Sequence, residues 1–168
     1  MSAQNPHVDP RRLYTTLRDQ ASATDRAKSV LEFLAAASGA EGGHLFLARD
    51  GGLQFSSSSL EPNPPADLVA EATRAWNHEL DRPTDDNATR TLEIDKIDAL
   101  RNAEPSTTWT SPLGETFERR LLSNYRSGEF TPVGLVMLRV PQGKRLSAIR
   151  RAQLEAICNA LIDCGDVA

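Results

Sequence analysis

The hydrophobic period of this chain changes from helical to extended between Gly39 and Gly43. Before that point, apolar residues recur at the spacing of an amphipathic helix, namely at Ala27, Val30, Leu31, Leu34 and Ala35. Gly39 is typical of a helix end because glycine readily takes the left-handed conformation. Beyond it, residues 44–48 predict a strand buried on both faces, residues 50–52 a tight turn, and residues 53–58 the returning strand. A helix that runs directly into a hairpin indicates a mixed fold.

Three further helices are predicted around this unit. Asp9 and Pro10 predict the start of a short helix that ends near residue 20. Another helix is predicted after the prolines at residues 62–65, and its apolar face carries Leu68, Val69, Ala72, Trp76 and Leu80. The last helix is predicted from Ser147, a candidate N-cap, to Gly165.

The remaining chain predicts strands separated by polar segments. Residues 117–125 and 133–140 predict a second hairpin, and the latter is the most apolar run in the chain. Short strands are predicted at residues 89–95 and 107–110, with a helical turn or two at residues 96–103. The acidic residues 81–87 predict a loop.

This order predicts an α+β fold, with a mostly antiparallel sheet of five to six strands because tight turns join most of them. The N- and C-terminal helices are expected on one face of the sheet, and the middle helix with its loops on the other. We expect one domain over residues 24–165, preceded by a tail and short helix at residues 1–23.

The composition argues against several function classes. A net charge of -4 and a pI of about 5.4 argue against nucleic-acid binding. The sequence contains no apolar run of ~18 residues, so no membrane span is expected. The N-terminal residues lack the pattern of a secretion signal, and only two cysteines occur, so a reduced cytoplasmic protein is expected.

The sequence contains no motif that requires a cofactor. Phosphate-binding glycine loops, the nucleophile elbow and a calcium loop are all missing from the sequence. Cys158 and Cys164 are six residues apart on one helix and would point about 120° apart, so they should not share a metal. For an enzyme, the candidates are His44 and the carboxylates of residues 81–98. We expect no cofactor, no metal and no catalysis.

The order of elements resembles that of a GAF domain, a sensory relative of the PAS fold. The resemblance covers about residues 24–164 and rests on the predicted helix from Asp25 to Ser38 and on the four segments that follow it, GGHLFLARDG, PPADLVAEATRAW, FERRLLSNYRSGEFTPVGLVMLRV and SAIRRAQLEAICNAL. The chain looks especially similar to GAF-like regions attached to bacterial Ser/Thr kinases. The resemblance implies regulation or sensing, and because the Asn-Lys-Phe-Asp-Glu set of the cyclic-nucleotide-binding members is missing, it does not identify a ligand.

The candidate ligand-binding residues are His44, Phe46, Phe55, Trp76 and Trp109. Each has an alternative role in the core, because aromatic side chains on apolar faces are most often buried for packing. The expected function is a non-catalytic signalling module that acts through protein–protein interaction, with a small-molecule sensor as the alternative.

The expected partners follow from the terminal helices and from the resemblance. One sheet face is not expected to bury all of the apolar surface that Leu13, Tyr14 and Leu17 provide. This surplus of apolar surface predicts a homodimer through the terminal helices. The resemblance adds a protein partner such as a kinase.

Overall fold

The computed structural model describes residues 8–80, 108–126 and 128–167. These residues form four helices and five strands. In chain order they are α1 (Pro10–Arg18), α2 (Ala23–Ser38), β1 (Gly43–Arg49), β2 (Gly52–Ser58), α3 (Ala66–Leu80), β3 (Thr108–Thr110), β4 (Thr116–Arg126), β5 (Glu129–Arg139) and α4 (Arg151–Asp163).

The strands form one sheet in the order β2-β1-β5-β4-β3, and every neighbouring pair is antiparallel. β1 and β5 approach each other closely because each has a glycine at the contact. A Cβ on Gly134 would lie 2.4 Å from the Phe46 carbonyl oxygen, and one on Gly43 would lie 2.5 Å from that of Met137. Glycine at these two positions therefore permits the central pairing.

The two faces of the sheet carry separate cores. On the face that we call the terminal-helix face, α1, α2 and α4 cover Leu45, Leu47, Val136 and Leu138. On the opposite face, which we call the α3 face, α3 covers residues that alternate with those: Phe46, Leu135 and Met137. The predicted α+β class and the distribution of helices over the two faces are confirmed.

The helix ends follow local hydrogen-bond chemistry. The Asp9 side chain accepts a hydrogen bond from the Arg11 N–H at 2.9 Å, as a predicted N-cap should. Gly39 ends α2 with a φ of 85°. The N-cap predicted at Ser147 is wrong: its N–H donates to the Ser38 carbonyl at 2.8 Å, and α4 begins only at Arg151.

Helix α1 is part of the main core. Leu13 and Leu17 are buried in the cluster beneath α1, α2 and α4, and the Tyr14 hydroxyl donates to Asp163 Oδ2 at 2.6 Å. One chain thus covers the two leucines from which the sequence predicts a homodimer. Dimerisation itself stays a prediction.

The strand predicted at residues 89–95, the helical turns at residues 96–103 and the loop at residues 81–87 lie outside the described residues. Among the helices that the structure describes, none combines the length and apolar character that crossing a bilayer requires.

Candidate functional site

The five residues predicted to bind a ligand all belong to the α3 face. His44 and Phe46 project from β1, and both are buried. Trp76, on α3, is buried in the same core, and Trp109 packs half-buried against it. Phe55 on β2 meets Phe46 edge-on at 5.9 Å between ring centroids and is 40% exposed. The fold therefore brings the five residues to one side of the sheet, although their role in binding stays a prediction.

Three rings form a continuous row across this face. The ring centroids of His44 and Phe117 lie 6.1 Å apart, and those of Phe117 and Trp109 lie 5.9 Å apart. We call His44, Phe117 and Trp109 the aromatic row. The sequence analysis missed Phe117, although the alternation of Phe117, Arg119 and Leu121 along β4 was a signal that these side chains share a face.

His44 is the most unusual residue of the row. Its side chain is 0% exposed, and neither ring nitrogen has a hydrogen-bond partner within the described part of the chain. Within the described ranges, the nearest carboxylate oxygen is Oε1 of Glu61, 3.9 Å from His44 Nε2, which is too long for a hydrogen bond. A buried polar group without a partner costs about 1–3 kcal/mol, so it requires an explanation.

The electrostatic surroundings keep His44 neutral. Burial is the main reason that its pKa falls from 6.5 to about 4, and the Arg139 charge lowers this pKa further. Glu115 acts in the opposite direction, but Arg139 Nη1 pairs with Glu115 Oε2 at 3.0 Å. At neutral pH the imidazole is therefore an uncharged group with one hydrogen-bond donor and one acceptor.

Trp76 also has a buried nitrogen without a hydrogen-bond partner in the described residues, one atom where His44 has two. Its indole N–H is buried in the core beneath α3 and has no acceptor among the described residues. Together, His44 and Trp76 contribute every buried side-chain nitrogen or oxygen that lacks a partner in those residues. In the described part of the chain, buried side-chain polar atoms without a partner are thus confined to the α3 face.

A groove of about 470 Å³ lies between α3 and β3. Asp67, Glu71 and Arg74 on α3 form one wall, and Trp109 with Ser111 and Pro112 forms the other. Trp109 is the end of the aromatic row, so the Phe117 ring lies between the buried His44 and this groove. The volume lies within the range of small-molecule sites, roughly 300–1,000 Å³.

A cluster of three charged residues fixes the α3 wall. Glu71 Oε2 accepts hydrogen bonds from Arg74 Nη2 at 2.6 Å and from Arg119 Nη1 at 3.1 Å, and Arg74 Nε donates to Oε1 at 3.0 Å. This carboxylate raises the pKa of Arg74 above its usual value, chiefly through the hydrogen bonds. Two guanidinium groups around one carboxylate leave one positive charge uncompensated.

The described residues contain no cluster that could hold a metal ion, and the Cys158 thiol is not activated. No three His, Cys, Asp or Glu side chains come together there. Burial raises the pKa of Cys158 to about 12, and its thiol donates to the Ser123 carbonyl at 3.3 Å, so it remains protonated. The carboxylates of residues 81–98 that the sequence offered to an enzyme lie outside the described residues.

Comparisons of the chain with protein-family models, with curated proteins and with solved structures found no match. The structure shows an α+β protein with an antiparallel five-stranded sheet, covered by three helices on one face and by α3 on the other.

Proposed function

We propose that this chain is a non-catalytic, cytoplasmic regulatory module of GAF type that senses a small molecule on the α3 face of its sheet. The observation that carries the proposal is the fully buried imidazole of His44, which lacks a hydrogen-bond partner in the described residues. Such a group is costly in a purely structural core. It becomes favourable when a ligand supplies the missing hydrogen bonds.

The geometry of His44 favours binding over catalysis. A general base needs a pKa near the working pH and a partner at about 2.6–3.2 Å. His44 has a pKa of about 4, and its nearest carboxylate, Glu61, is 3.9 Å away. The imidazole therefore suits neutral hydrogen bonding to a ligand better than proton transfer.

A thermal-shift screen of small metabolites tests this function. A ligand at about 100 times its dissociation constant should add about 2.7 kcal/mol to the free energy of unfolding. The matched variant is His44→Leu, which keeps the apolar volume but removes both ring nitrogens. Compounds that stabilise the native chain should lose most of this effect in the variant.

The variant also separates a sensing role from a structural one. Without ligand, His44→Leu should be at least as stable as the native chain at pH 7, because it removes an unpaired polar group. A clear loss of stability in the variant, together with a screen that yields no stabilising compound, would contradict the proposed function.

A second candidate is a protein-binding adaptor, either a homodimer or a module that binds a kinase-like partner. Leu113, at the turn between β3 and β4, is 87% exposed, and Phe55 is 40% exposed. The two lie at opposite edges of the sheet, and each would gain free energy if a partner removed its apolar surface from water. Sedimentation at micromolar concentration checks the homodimer: a dimer that Leu113→Ser dissociates would favour it, and a monomer would contradict it.

A further inference from the structure

From the groove between α3 and β3 we infer a binding site for a planar aromatic ring that carries one anionic group. This inference rests on the proposed sensing function and names the ligand class. Trp109 would stack on the ring, and the guanidinium of Arg74 would pair with the anion. Both residues line the groove of about 470 Å³.

Trp109 is built as a stacking platform. Phe117 packs against its ring with a centroid distance of 5.9 Å and an interplanar angle of 39°, which holds the indole from one side. The half-buried indole also lines the groove, where a second ring can meet it. Aromatic pairs contribute about 0.5–1.5 kcal/mol beyond the area they bury.

The positive charge of the α3 wall lies at its Arg74 end, where it attracts an anion, and Asp67 at the other end brings the total over the wall and Arg119 to zero. Glu71 is 11% exposed and lies between Arg74 and Arg119, so the three side chains together carry one net positive charge. Arg74 is already held in place by two hydrogen bonds to Glu71, and its side chain is 61% exposed towards the solvent. A preorganised guanidinium loses little conformational freedom when it binds a carboxylate or phosphate.

Asp67 gives the groove a direction. It precedes Arg74 by seven residues on α3, which places the two about 10 Å apart along the helix axis. An anion is therefore attracted to the Arg74 end and repelled from the Asp67 end. The ligand ring should lie across Trp109 with its anionic group pointing towards the carboxyl-terminal half of α3.

Calorimetric titration with three matched probes tests the inference: 2-naphthoate, its neutral amide 2-naphthamide, and acetate. We expect naphthoate to bind about tenfold more tightly than the amide, which is about 1.4 kcal/mol, and acetate not to bind measurably. Naphthoate binding should weaken as salt is added, because the exposed guanidinium is screened.

Variants assign the effect to the groove. Arg74→Gln should weaken naphthoate binding about tenfold, because it removes a charge-assisted pair. Arg145→Gln is the matched control: it removes the same charge from an exposed residue outside the groove and should leave binding unchanged. Asp67→Asn should tighten binding by about twofold, since it removes an opposing charge about 10 Å away.

Equal affinity for naphthoate and naphthamide, no binding of naphthoate, or an Arg74→Gln variant that binds like the native chain would each overturn the assignment. The His44→Leu variant separates this failure from failure of the proposed function. If naphthoate does not bind, but a metabolite stabilises the native chain and not His44→Leu, the ligand class is wrong and sensing stands.

Discussion

The two faces of the sheet treat buried polar groups differently. On the terminal-helix face, the buried side chains of Arg26 and Asn124 each have a hydrogen-bond partner. Arg26 Nη2 donates to Asp166 Oδ1 at 2.9 Å, and Asn124 Nδ2 donates to Asn159 Oδ1 at 2.8 Å. On the α3 face, His44 and Trp76 keep buried nitrogens without partners among the described residues.

This difference separates a structural core from a candidate site. Among the described residues, the terminal-helix face contains 18 buried hydrophobic residues, and its polar pairs connect distant parts of the chain, such as α2 with the C-terminal segment. The core beneath α3 contains 8 of the described residues. The larger core stabilises the fold, so the smaller one can keep unpaired groups whose cost is about 1–3 kcal/mol each.

The largest expected effect comes from breaking the buried ion pair on the terminal-helix face. Arg26 and Asp166 have side chains only 9% and 5% exposed, so Arg26→Met leaves an uncompensated carboxylate. We expect a loss of about 3–5 kcal/mol in the free energy of unfolding, measured by urea denaturation. The double variant Arg26→Met/Asp166→Leu should recover most of this loss. An unchanged midpoint in the single variant would remove the contrast between the faces.

Acidification should destabilise the chain through the α3 face. His44 has a pKa of about 4 in the fold, against 6.5 for an unperturbed histidine, so the unfolded chain takes up the proton first as pH falls. Stability should therefore decrease below about pH 6.5 and lose up to about 3 kcal/mol from this group by about pH 4. Thermal unfolding between pH 7 and 4 measures the effect, and His44→Leu should show a shallower decrease. Parallel curves for the two proteins would contradict a buried neutral imidazole.

Replacing a buried polar side chain by leucine should change the free energy of unfolding in opposite directions on the two faces, by less than the two effects above. Asn124→Leu removes a buried hydrogen-bond donor to Asn159 and should cost about 1–2 kcal/mol. His44→Leu removes unpaired nitrogens and should be neutral or stabilising by about 1 kcal/mol at pH 7. Chemical denaturation of both variants at pH 7 compares them, and equal losses would show that the two faces do not differ.

Local patterns in the sequence predicted most elements that the structure describes. The stripe from Ala27 to Ala35 predicted α2, and the glycine turn after residue 49 predicted the first hairpin, because both signals involve neighbouring residues. The start of α4 was missed, because the Ser147 carbonyl, which an N-cap would offer to the first helical N–H, accepts from Arg120 Nη1 at 2.8 Å, and the Ser147 N–H donates to Ser38, more than 100 positions earlier. Sequence spacing carries no information about such a partner.

The candidate site shows the same limit. The sequence marked His44 and Trp109 as candidates, and the alternation along β4 put Phe117 on one face with Arg119, but neither showed that Phe117 would lie between His44 and Trp109. It also could not show that Arg119 on β4 would reach Glu71 on α3, 48 residues away. The fold thus places Arg119 beneath one wall of the groove.

By itself the sequence determined the helices and the hairpins. It also determined that Leu45 faces one side of the sheet while His44 and Phe46 face the other. These features depend on backbone propensity and on side-chain period over a few residues. Only the tertiary structure decided which buried polar groups form hydrogen bonds. Arg26 donates to Asp166, whereas His44 has no partner among the described residues. The physical reason is that hydrogen bonding and charge pairing act over a few ångströms between residues that only folding brings together.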